Sequence, residues 1–267
     1  MSLDIDMHDL PVNESDPAPL LEATGLTVGY GAGAVVRNIN LTLRKGEVVA
    51  LLGPNGAGKS TTLLALAGEL RPMGGSIVWH GAAGWKPLHK RAREGLAFIL
   101  EDRSVFSRLT VAQNIAVSRQ RAVSGSDVTT LFPELGPLAD RRGGLLSGGE
   151  QRMLAVARAL SGGSRVVLAD ELSLGLAPKT VGRLLRAIRA AADNGVGVLV
   201  VEQHIHRVLE IADRVYVMQG GQVRFAGTAA AARGQLDHIR EQYLSSAASV
   251  AEMSDDAEHA ISSERPE

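Results

Sequence analysis

The chain contains no cysteine. Disulfides, thiolate metal sites and a cysteine nucleophile are therefore excluded, and a reducing compartment fits. Aromatic residues make up only 3%, so one that falls beside a motif is informative. Neither sign of charge is in excess, with 28 basic and 29 acidic side chains and a net charge of -1. No bulk attraction to nucleic acid or to an anionic membrane surface follows, and any phosphate binding must be local. No uninterrupted apolar run approaches the ~18 residues of a membrane span. The opening segment MSLDIDMHDLPVNESDPAP is acidic where a signal peptide is basic and then apolar. If the protein works at a membrane, something else crosses it.

What is present suggests one compact unit between two loose ends. Residues 1–20 carry five acids, no lysine or arginine and several prolines, and residues 246–267 are similarly polar and acidic, so both read as poorly ordered. Between them, residues 21–245 alternate β-rich runs with helical patterns. VVALL, VVLA and VGVLVV are apolar throughout instead of alternating, as strands of a parallel sheet covered on both faces require. The fold class is thus α/β. Met153, Leu154, Val156, Ala157 and Leu160 recur at helical spacing behind Gly148 and Gly149. A second helix starts at Pro178, presents Val181, Leu184, Leu185 and Ile188 on one stripe, and stops at Asn194 and Gly195. Arg183, Arg186 and Arg189 on that helix read as a solvated face.

Between an apolar strand and an apolar helix stands GPNGAGKST, Gly53 to Thr61, which fits the pattern GxxxxGK followed by Ser or Thr. Glycines let such a loop curl until backbone N–H groups converge on phosphate oxygens, and the helix begun near Lys59 turns its positive end toward them. Lys59 then reaches the β and γ phosphates, and Ser60 offers a hydroxyl to Mg²⁺. Some ninety residues further on, LLSGGEQRMLAVARAL places Ser147, Gly148 and Gly149 at another helix start, a second phosphate-binding surface of the same construction. The strand VVLA after it ends in Asp170 and Glu171. An acidic pair at a strand end is elsewhere a helix cap or a solvated turn. Behind a phosphate loop, Asp170 is placed to bind Mg²⁺ directly or through water.

Together the loop, LSGGEQ and the strand ending in Asp170 and Glu171 resemble the ATP-binding subunits of ABC transporters, and the resemblance runs from about Leu21 to about Tyr243. It implies a phosphate-loop NTPase core, mostly a parallel sheet flanked by helices, with an N-terminal antiparallel β subdomain and a helical subdomain carrying the signature. ATP and Mg²⁺ are the implied cofactors. The nucleotide is expected at Gly53, Asn55, Gly56, Gly58, Lys59, Ser60 and Thr61, with Tyr30 against adenine and Val35 near the ribose. The metal is expected at Ser60, Glu101 and Asp170, and Glu171 resembles the residue that polarises the attacking water. In the family two subunits meet head to tail, and Ser147, Gly148 and Gly149 of one hold the ATP of the other.

Finer features narrow the resemblance. Glu101, where most such ATPases have glutamine, the following VF and LTV, and SLGLAP at Ser173 to Pro178 are similar to one ATPase of the branched-chain amino acid importers and their amide and urea relatives. Counted back from ADR, Gln203 takes the place of the usual switch histidine with His204 beside it, and a slip of one residue exchanges them. Leu172 departs from the family, which has proline after the catalytic glutamate. A looser turn around Glu171 and reduced hydrolysis are expected, with Leu172→Pro raising the rate.

The resemblance implies an ATPase at the cytoplasmic face of the cell membrane. It would serve transmembrane permease subunits, a second ATP-binding subunit (itself or a paralogue), and indirectly an extracytoplasmic solute-binding protein, without nucleic acid. An exporter ATPase and a non-transport ABC ATPase are the alternatives.

Overall fold

The computed structural model describes residues 18–100, 105–118, 131–202 and 205–235. Residues 1–17 of the expected leader and the whole of the expected tail lie outside them. The chain opens with a long hairpin, β1 (Leu21–Tyr30) and β2 (Gly33–Leu43), and then enters β3 (Val48–Leu52), whose five residues are all buried. Helix α1 (Lys59–Ala67) follows, and β4 (Gly74–Trp79) and β5 (Ala82–Ala83) return to the hairpin. After α2 (Leu88–Arg93), β6 (Leu96–Ile99) and α3 (Val111–Ser118) come α4 (Gly148–Ser161), β7 (Val166–Asp170) and α5 (Pro178–Asp193). The described chain ends through β8 (Gly197–Glu202), α6 (Ile205–Leu209), β9 (Arg214–Gln219), β10 (Gln222–Thr228) and α7 (Ala229–Gly234).

Among the described residues the strands form a four-stranded antiparallel sheet, β2-β1-β4-β5, and a six-stranded sheet, β10-β9-β3-β8-β7-β6. In the second sheet only the β9–β10 hairpin is antiparallel. The continuous apolar runs are explained by two separate cores, one on each face. Val48, Ala50 and Leu52 of β3 face a core built with α4 and α5. Val49 and Leu51 face another that contains Leu63 and Leu66 of α1 and the inner residues of β1 and β2. A polar residue at any of these positions would be buried without a partner.

Arg214 latches the two sheets together. Its Nη2 donates to the Thr42 carbonyl at 2.6 Å and the Thr42 hydroxyl at 2.9 Å, while its guanidinium pairs with Glu47 at the entrance to β3.

The arginine row of α5 is more than a solvated face. Arg183 pairs with Glu134. Arg189 donates to the Gly46 carbonyl at 3.1 Å, the Ile211 carbonyl at 3.0 Å and the Asp213 carboxylate at 2.8 Å, closing the turns before β3 and β9. The stop at Asn194 and Pro178 in the first turn of α5 are as the sequence predicts.

Candidate functional site

Three parallel strands end level with one another. Leu52 pairs with Glu202, and Asp170 pairs with Val201. The loop from Gly53 and the turn from Glu171 therefore leave the sheet at its carboxyl edge, on either side of the end of β8 and where ligands bind in open α/β sheets. Gly53 passes so close to β9 that a Cβ there would stand 2.5 Å from the Met218 carbonyl. Gly58 caps α1 with φ 96°, and a Cβ on it would meet Val36 of β2 at 2.8 Å. Both positions exclude a side chain for steric reasons alone.

Lys59 is 5% exposed, and its Nζ donates to the carbonyls of Gly53 at 2.8 Å and Pro54 at 3.0 Å. Burial pushes its pKa below the ordinary lysine value; the charges of Glu171, then Asp170 and Glu202, oppose that shift. The structure thus brings the loop lysine together with the acidic pair expected from sequence and adds a third carboxylate. Asn55, Gly56 and Ser60 are exposed, whereas Thr61 is buried. The far end of α1 is closed by Arg91, wholly buried, which donates to the Leu66 carbonyl beside the Trp79 ring. Burial pushes the Arg91 pKa down to about 10, so it remains charged at neutral pH and complements the negative end of the helix.

Glu171 has a positive φ of 44°, a conformation costing a non-glycine residue about 1–2 kcal/mol. Its amide donates to the Val201 carbonyl at 3.0 Å. Leu172 is 1% exposed within the α4–α5 core, and Ser173 is held by the buried Glu202. The turn is anchored at three successive residues, so the looser turn expected from Leu172 is not what the structure shows. Leucine anchors this segment through its buried side chain.

Ser147, Gly148 and Gly149 begin α4 as expected. Ser147 and Gly148 are exposed, and Gln151 supports them by donating to the Gly143 and Leu146 carbonyls at 3.1 and 3.2 Å. Arg152, one turn into the same helix, donates to the Leu100 carbonyl at 3.0 Å, immediately before Glu101. Tyr30 ends β1 with 56% of its surface exposed, and Val35 is half-buried on β2, whose Val36 lies against Gly58. Glu101, Gln203 and His204 lie outside the described residues.

Sequence reasoning passed over Glu202 and Asn114 and read Ser173 only as the first residue of SLGLAP. Asn114 is wholly buried on α3, accepts from the Phe106 amide at 2.8 Å and donates to the carbonyls of Phe106, Leu109 and Thr110, so it fixes the turn into that helix. The available signal was an asparagine inside the apolar pattern VAQNIAV, a residue that costs free energy there unless its amide is bonded.

A family model described as ABC transporter matches residues 36–173, which take in the phosphate loop, LSGGEQ, Asp170 and Glu171. The chain belongs to the ABC transporter family. The high-affinity branched-chain amino acid transport ATP-binding protein BraG of Pseudomonas aeruginosa is 38% identical over 222 residues, 80% of this chain and 95% of BraG. The lipopolysaccharide export system ATP-binding protein LptB of Escherichia coli K12 is 33% identical over 234 residues, 84% of this chain and 96% of LptB. Among solved structures, cbiO1 from Clostridium perfringens, part of the ABC transporter complex cbiONQ, matches with a TM-score of 0.71 at 25% identity, over 85% of this chain and 96% of that one. This ABC protein is accordingly the ATP-binding, ATP-hydrolysing subunit of a transporter. Among the described residues no helix is long and apolar enough to cross a membrane.

Proposed function

We propose that this ABC subunit powers an importer of branched-chain amino acids or similar small polar solutes, at the cytoplasmic face of the membrane. The observation carrying the catalytic part is the convergence of Lys59, Asp170 and Glu171 at the carboxyl edge of three adjacent strands. In this reading the loop amides and Lys59 hold the β and γ phosphates of ATP. Glu171 accepts a hydrogen bond from the attacking water and orients it in line with the γ phosphorus. Tyr30 stacks on adenine, with Val35 near the ribose. Ser60 and Asp170 supply a hydroxyl and a carboxylate, hard oxygen donors that fit Mg²⁺. When bound, Mg²⁺ offsets the charge of the phosphates.

The exposed Ser147 and Gly148 suit a second ATP-binding subunit, whose nucleotide they would grip while the first subunit's nucleotide is gripped in return. Arg152 ties that helix to the end of β6 just before Glu101, and in this reading the Glu101 segment meets the permease subunits. A solute-binding protein is reached only through those subunits.

Import of branched-chain or related solutes is supported by Glu101, SLGLAP and the similarity to BraG. The similarity to LptB favours an exporter as the second reading. Purifying the complex from membranes and identifying the subunits that accompany this chain separates the two. Permease and solute-binding subunits, with phosphate release stimulated by a branched-chain amino acid, support import. Subunits of a lipid-export assembly overturn it.

A further inference from the structure

Glu202 is a buried acid to which the hydrolytic scheme assigns no task. It ends β8 with 2% of its surface exposed, and both carboxylate oxygens are engaged by one residue across the neighbouring strand end. The Ser173 amide donates to Oε1 at 3.0 Å and the Ser173 hydroxyl to Oε2 at 2.5 Å. Two residues before Ser173 stands Glu171, with its positive φ and its amide on the Val201 carbonyl. The last two residues of β8 thus grip the turn at both ends of Glu171-Leu172-Ser173. Left alone, a glutamate backbone relaxes toward negative φ, which would swing the carboxylate away from its present direction. Glu171 follows directly on β7 at the carboxyl edge from which the phosphate loop also leaves the sheet, so the direction its backbone gives the carboxylate matters there.

We infer that Glu202 is a positioning residue for hydrolysis: by holding Ser173 through both oxygens it keeps the Glu171 backbone in its strained conformation and so fixes the direction of the carboxylate at the edge that also bears the phosphate loop. This rests on the reading that Glu171 orients the attacking water. A charged acceptor suits the task. A carboxylate accepts from the amide and the hydroxyl at once, and both bonds are strengthened by its charge and by burial.

The test uses the full chain with its membrane subunits and compares Ser173→Ala, Ser173→Thr, Glu202→Gln and Glu171→Gln. Expected for Ser173→Ala is a fall in kcat of about tenfold or more, the scale of a slightly misplaced reacting group, while KM for ATP stays within about twofold. Ser173→Thr, which keeps the hydroxyl, restores turnover. Added to Ser173→Ala, Glu202→Gln costs less than it does alone, because the hydroxyl contact that the two residues share is already gone. Unchanged kcat in Ser173→Ala, or kcat and ATP affinity falling together with a lowered melting temperature, overturns the inference. Glu171→Gln separates the two levels. If it abolishes turnover while Ser173→Ala does not alter it, only the positioning role fails; if it turns over normally, the reading of Glu171 fails.

Discussion

Ser147 and Glu150 hold each other at the start of α4: the Ser147 hydroxyl accepts from the Glu150 amide at 3.3 Å, and the Ser147 amide donates to the Glu150 carboxylate at 2.7 Å. The two hydrogen bonds from Ser147, that of its amide foremost, keep the Glu150 pKa below the usual carboxylate value of 4.5. A depressed folded pKa means that the stabilisation is complete above the unfolded value and disappears as pH falls through the folded one. Melting curves from neutral pH to about pH 3 therefore show the parent losing its advantage over Glu150→Ala in acid. The capping contribution of Glu150 at neutral pH is about 0.3–1.5 kcal/mol, toward the lower end because the carboxylate is solvated. An advantage that persists unchanged through the acid range is the contrary result.

Lys59 and Glu171 belong to the two segments that leave β3 and β7 at the same carboxyl edge, but their substitutions separate binding from chemistry. Lys59→Ala loses ATP binding. Glu171→Gln keeps it, accumulates an ATP-bound dimer on size exclusion, and releases phosphate at least about a hundredfold more slowly, as loss of a general base predicts. Phosphate release at the parental rate from Glu171→Gln shows that another group orients the water.

Tyr30 is exposed at the end of β1, as an adenine platform must be. Replacing it with alanine weakens ATP binding by about tenfold, and Tyr30→Phe or Tyr30→Trp retains it, because stacking needs only a π-face. Inorganic tripolyphosphate separates stacking from loop damage. Its affinity is the same in parent and Tyr30→Ala, and a parallel loss for it places Tyr30 outside the base site.

Leu172 is wholly buried where a loosened turn was expected, so it acts through packing. Leu172→Ala lowers stability by about 2–5 kcal/mol, the cost of lost apolar burial plus the cavity left. Each kcal/mol corresponds to a fall in Tm of about 2–4 °C in a domain of this size. Leu172→Pro does not hydrolyse faster than the parent in steady-state phosphate release. A faster variant restores the view that proline would tighten this turn.

The phosphate loop, the parallel strands and the start of α4 were legible because each depends on neighbours in sequence. Gly53 and Gly58 sit at fixed offsets from Lys59, apolar runs without alternation require two covered faces, and Ser147, Gly148 and Gly149 directly precede a run of helical spacing. The arginines of α5 were not legible in the same way. Helical spacing placed them on one face, but the carbonyls of Gly46 and Ile211 that Arg189 reaches come from turns far along the chain. The clamp between Ser173 and Glu202 escaped for the same reason, since 29 residues separate its halves, one in a turn and the other at a strand end.

By itself the sequence determined a phosphate loop between a buried strand and a helix, a second glycine-led helix start, and an acidic strand end, because local backbone geometry and side-chain size dictate each of them. Only the tertiary structure decided how these pieces are held. The register of β3, β7 and β8 brings Lys59, Asp170 and Glu171 to one edge, and burial beside that edge turns Glu202 and Leu172 into anchors of a strained turn. Strand register and burial arise from contacts between segments remote in sequence, and no local pattern encodes them.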